Sequence, residues 1–107
     1  MPIINIEFDS QKVKEEEIKI LSDAVHKIVS KITSIEDVPV YANNSQVKIA
    51  VSPIEIFIRL SDHKITDADK LISDIKSKLS EWKIENNFPH PINLTLIPMN
   101  WKIEIGI

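Results

Sequence analysis

Twice along this chain, alternating apolar and polar residues give way to a helical spacing and then return to alternation. In residues 2–8, Ile4, Ile6 and Phe8 fall on one side and Ile3, Asn5 and Glu7 on the other, the period-2 mark of a strand with one buried face. Asp9 or Ser10 can cap the next element. From Val13 to Ile32 the apolar residues recur at Leu21, Val25, Ile28 and Ile32, flanked by Ile18, Ala24 and Val29. This spacing predicts an amphipathic helix of about five turns. Glu15, Glu16 and Glu17 stand near its start, where carboxylates suit the positive end of the helix dipole. Residues 38–51 read as extended, interrupted by the turn formers around Asn43, Asn44 and Ser45, with Val47, Ile49 and Val51 alternating again.

The second passage repeats the order. Pro53 opens a strand with Ile54, Ile56, Ile58 and Leu60 on one face and Glu55, Phe57 and Arg59 on the other. Thr66 and Asp69 form a capping pair for a helix whose apolar stripe is Ala68, Leu71, Ile72, Ile75, Leu79 and Trp82. Ile92, Leu94 and Leu96 then alternate with Asn93 and Thr95 until Pro98 breaks the run. Trp101, Ile103, Ile105 and Ile107 share one face of a short final strand, about residues 101–106.

The expected fold is therefore α/β, an α+β two-layer sandwich in one domain over residues 1–107. Two tandem βαβ units, about 2–51 and 53–98, give a mixed four-stranded sheet with both helices on one face. Each helix returns its chain parallel, in the right-handed sense. Pro2 and Pro53 look like equivalent strand starts, yet superposing them needs an offset of 51, which exchanges buried and exposed faces. An offset of 50 or 52 keeps the apolar faces matched, so Pro2 needs its own explanation. The face away from the helices carries Asn5, Glu7, Glu55, Phe57, Arg59, Asn93, Thr95, Lys102 and Glu104, and it meets either water or another subunit.

Composition removes several functions. The single glycine, Gly106, rules out phosphate loops and dinucleotide fingerprints, which need several glycines for close backbone approach. The absence of cysteine removes disulfides, thiolate zinc sites and cysteine nucleophiles. His26, His63 and His90 have no ligand spacing, so no metal site is expected, and no serine triad is discernible. A net charge of −3 with one arginine is no footprint for nucleic acid. No stretch approaches the roughly 20 apolar residues of a membrane span, and the N-terminus lacks a signal-peptide pattern. A soluble, cytoplasmic protein is the expectation.

The Met-Pro start, the strand "PIINIEF" and two tandem βαβ units in 107 residues together resemble the tautomerase superfamily. The likeness is to its duplicated, macrophage migration inhibitory factor-like members and to a poorly characterised bacterial branch. The resemblance implies a homotrimer, no cofactor, and a catalytic proline exposed by removal of Met1, here Pro2. It implies action on a small 2-oxo or enol carboxylic acid at a subunit boundary. Chemically, a free Pro2 would be a secondary amine with an ordinary pKa of about 8. A nearby cation or an apolar pocket lowers that value and leaves a neutral base. The substrate carboxylate then needs a cation, and Arg59 on the strand that opens the second unit is the candidate. The resemblance implies pocket residues on the late strand, here Asn93 and Thr95, and Tyr41 is a further candidate for substrate binding, with Trp101 for lining the pocket. The chain departs from the family pattern in carrying Ser34, with Lys31 a turn earlier, where migration inhibitory factor-like members have a lysine after the first helix. Lys12 and Lys14 stand where short members have an arginine.

Two readings follow. The first is a tautomerase with Pro2 as base and Arg59 as carboxylate anchor. The alternative is a catalytically inactive homotrimer of the same fold, acting as a binding or structural protein. With Met1 attached, the nitrogen of Pro2 is an amide and no base. A structural role for Arg59, paired with Glu7 or Glu55 across the sheet, is the simpler alternative for that residue.

Overall fold

The computed structural model describes all residues, 1–107. Its elements are β1 (Ile3–Phe8), α1 (Glu15–Thr33), β2 (Val40–Asn43), β3 (Ile54–Ser61), α2 (Ala68–Glu85) and β4 (Asn93–Met99), with a short 3-10 turn over Asp62–Lys64. The sheet order is β2-β1-β3-β4. β1 runs parallel to β2, β3 runs parallel to β4, and β1 and β3 meet antiparallel at the centre. This is the mixed four-stranded sheet of two βαβ units, with both helices on one face.

Alternation fixes that face. Ile4 and Ile6 lie opposite Ile58 and Ile56, and all four are fully buried. Ile54 and Leu60 continue the row, and Ile18, Leu21, Val25 and Val29 of α1 cover it with Ile75 and Leu79 of α2. Burying each such side chain contributes about 1.5–3 kcal/mol before chain entropy is counted. The buried stripe of α1 runs through Ile18, Leu21, Val25 and Val29, while Ile28 and Ile32 are only half-buried. The two prolines are out of register, as the face argument requires: Pro2 is fully buried on the parity of Ile4 and Ile6, whereas Pro53 is half-buried and precedes the inward Ile54.

Local chemistry sets the helix ends. The Glu17 carboxylate accepts from the Lys14 backbone N–H at 3.0 Å, and α1 closes on Ser34 in the left-handed region at φ 57°. α2 is capped by Asp67, whose Oδ1 accepts from the Lys70 N–H at 3.0 Å. The expected Thr66–Asp69 pair is thus displaced by one residue, because the oxygen that reaches the third N–H of the helix belongs to Asp67.

Three strand expectations need correction. Val47, Ile49 and Val51 form no strand, and Val47 and Ile49 are 84% and 87% exposed. This loop is tied instead by Lys48, which turns inward to Asp9 at 3.5 Å and to the Asn44 side chain. Pro98 does not end β4 but sits within it, opposite Leu60. β4 is an edge strand, where a missing N–H is tolerated. The final strand about 101–106 is absent: beyond Met99 the chain is irregular, and Ile105 is 74% exposed. Alternation there finds no strand of this chain to pair with, and a lone strand has no partner for its backbone groups.

Candidate active site on the open sheet face

The strand registers bring the open-face residues into cross-sheet rows. Tyr41, Asn5, Phe57 and Thr95 form one row across all four strands. The next row toward the start of β1 holds Ile3, Arg59 and Ile97. On the other side of the Asn5 row come Asn43, Glu7, Glu55 and Asn93.

Pro2 immediately precedes Ile3, whose cross-strand partner is Arg59. Arg59 is half-buried and lies diagonally from Asn5, to whose Oδ1 its Nη1 donates at 2.8 Å. The expected alternative of an ion pair with Glu7 or Glu55 is not what forms. Glu55 accepts instead from Asn93 Nδ2 at 3.0 Å, and no carboxylate lies within ion-pair distance of Arg59. Of the five N–H donors of a guanidinium, the chain itself occupies one.

The other candidates divide. Tyr41 faces Asn5 from β2 and is 55% exposed, on the same face as Arg59. Asn93 lies opposite Glu55, four residues along β3 from Arg59, or about 13 Å at the ordinary rise of a strand. It also donates to Ser52 Oγ at 3.0 Å. One chain therefore does not bring Asn93 to Pro2. Trp101 reaches the Arg59 end of the sheet, where its Nε1 donates to Ser61 Oγ at 2.7 Å. Ser61 and Asn5 were not singled out from the sequence as site residues. Only pairing register reveals them, although the shared parity of Asn5 and Arg59 on the outward face was a usable signal.

His26, His90, Glu17 and Asp9 make contacts within the fold. His26 Nδ1 lies 2.8 Å from the Val38 carbonyl oxygen, and His90 Nε2 lies 2.8 Å from Glu17 Oε2. Glu17 is held below the ordinary glutamate range, first by the Lys14 N–H and then by His90, against the opposing effect of burial. Asp9 is likewise held low, first by the Gln11 N–H, with burial opposing and Lys48 assisting. A groove of about 660 Å³ opens between α1 and α2 beside Ile20, Ala24, Ile28 and Trp82. Neither Pro2 nor Arg59 lines this groove.

A mixed four-stranded sheet of two βαβ units, covered on one face by two helices, defines the class of fold. No family model matches the chain, and no curated protein matches it. Solved structures do. A domain of unknown function (DUF1904) from Sebaldella termitidis superposes with a TM-score of 0.68 at 13% identity, covering 100% of this chain and 98% of that one. The macrophage migration inhibitory factor-like protein of Entamoeba histolytica gives 0.65 at 16% identity over 96% and 95% of the two chains. A fused 4-OT, solved as an asymmetric trimer, gives 0.68 at 14% identity over 97% and 92%. At such identities the likeness is one of fold. This chain has the macrophage migration inhibitory factor-like fold of the tautomerase superfamily.

Proposed function

We propose that the chain is a cofactor-independent tautomerase-type protein, assembled as a homotrimer, that moves a proton between carbon and oxygen of a small 2-oxo or enol carboxylic acid. Pro2 is the general base once Met1 is removed, and Arg59 holds the carboxylate. The supporting observation is that Pro2 precedes the cross-strand partner of Arg59, the one arginine, whose guanidinium has no acidic partner. The neutral amine of Pro2 takes the hydroxyl proton of the enol, and the resulting prolinium returns a proton to carbon as the carbonyl forms. The cation of Arg59 stabilises both the carboxylate and the enolate charge that develops beside it. Tyr41 borders the carboxylate's approach. Asn93, at the start of β4 opposite Glu55, joins such a site only across a subunit boundary.

A second reading has its own support. Pro2 is fully buried, as suits an inactive homotrimer serving as a binding or structural protein. Intact-mass analysis of the untagged protein separates the two. Loss of Met1, with ketonisation of phenylenolpyruvate abolished in Pro2→Ala, supports the enzyme. Retained Met1, or full activity in Pro2→Ala, removes Pro2 from the chemistry.

A further inference from the structure

We propose that Asn5 is a positioning residue for Arg59: its amide oxygen turns the guanidinium along the open sheet face and leaves the other edge of the fork free for a carboxylate. This rests on the assignment of Arg59 to substrate carboxylate above, and it adds the residue that makes that role possible.

The geometry carries the point. Asn5 and Arg59 are not directly opposite; Asn5 faces Phe57, and Arg59 faces Ile3. An arginine stem can bend to either side along a sheet, and the 2.8 Å bond from Nη1 to Asn5 Oδ1 selects one. A neutral acceptor does this without consuming the positive charge. A carboxylate at the same place would make a charge-assisted pair and occupy the fork itself. On the sheet, Ile3 and Ile97 share the row of Arg59, and Tyr41, Asn5, Phe57 and Thr95 form the next. They offer no competing anion, and Glu7 and Glu55 stand on the far side of the Asn5 row. A half-buried guanidinium with one neutral partner, in a row with Ile3 and Ile97 and next to the row of Phe57, suits a monocarboxylate with an apolar or aromatic tail.

The test uses the full-length protein and calorimetric titration with 3-phenylpropionate, an unreactive monocarboxylate, against 3-phenylpropanamide as the uncharged control. Wild-type protein should bind the acid and not the amide. Asn5→Ala should weaken binding about tenfold, the scale of one hydrogen bond to a charged group. Asn5→Asp should abolish binding while the melting temperature holds or rises, because Asp satisfies Arg59 and neutralises it. A merely structural Asn5 would not produce that split. With phenylenolpyruvate, Asn5→Ala should raise KM more than it lowers kcat. Wild-type affinity in both Asn5 variants, with binding lost in Arg59→Ala, overturns the positioning role and leaves the Arg59 assignment intact. Unchanged binding in Arg59→Ala, or no binding by wild type, overturns both. Binding as expected without turnover leaves the positioning role standing and removes the catalytic one from Pro2.

Discussion

Arg59 donates to Asn5 at 2.8 Å and meets no carboxylate, although Glu7 and Glu55 share its face of the sheet. The lone arginine is therefore held by a neutral amide, and its removal breaks no ion pair. Arg59→Ala should cost only about 1 kcal/mol in urea unfolding, the scale of one hydrogen bond. KM for an enol acid should rise far more. A loss of several kcal/mol would instead mark Arg59 as part of the scaffold.

Ile56 lies at the centre of the buried face, opposite Ile6 and beside Leu94. Ile56→Ala should destabilise the fold by about 2–5 kcal/mol through lost burial and a residual cavity. Phe57→Ala, one residue along and on the open face, should cost the isolated chain much less. Chemical denaturation of both variants at high dilution checks the assignment of faces.

Acid should weaken the protein through Glu17 and Asp9. Each has a folded pKa below its ordinary value, 4.5 for Glu17 and 3.8 for Asp9. Their contributions are present above those values and vanish as pH falls through the lower, folded ones. Melting temperature should therefore decline below about pH 4.5, and the decline should be shallower in Glu17→Gln and in Asp9→Asn. An acid limb identical to wild type in both variants would place the sensitivity elsewhere.

The start of α2 distinguishes two neighbouring residues. Asp67→Ala removes the oxygen that caps Lys70 and should cost about 1 kcal/mol. Thr66→Ala removes no cap and should be nearly silent in thermal melts.

Ile103 and Ile105 contribute little to the fold of a single chain, since Ile105 is 74% exposed and the tail has no strand partner. A double change to Glu should leave the unfolding of dilute protein near wild type. If the tail seals a homotrimer, light scattering should show the variant dissociating at concentrations where wild type remains assembled.

Much of the architecture was legible in local patterns. The alternation of Ile4 and Ile6, and of Ile54, Ile56 and Ile58, marks the buried face directly, since side chains on a strand point alternately to its two sides. The same parity puts Asn5 and Arg59 on the open face. The candidate site was less legible. Asn93 resembles a site residue by its alternation with Leu94, but its row is that of Glu7 and Glu55. Nothing in its neighbours along the chain states which row that is.

The tail shows the same division. Ile103, Ile105 and Ile107 alternate as cleanly as β1 does, yet they form no strand here. Periodicity records which side of a segment would be buried, and it is written residue by residue. A strand also requires an edge to supply its hydrogen bonds, and that depends on elements far away in the chain. The sequence by itself thus determined the order of elements, their buried faces and the side on which Arg59 emerges. The tertiary structure alone decided that Arg59 meets Asn5, 54 residues away, because pairing register is set by the packing of β1 against β3.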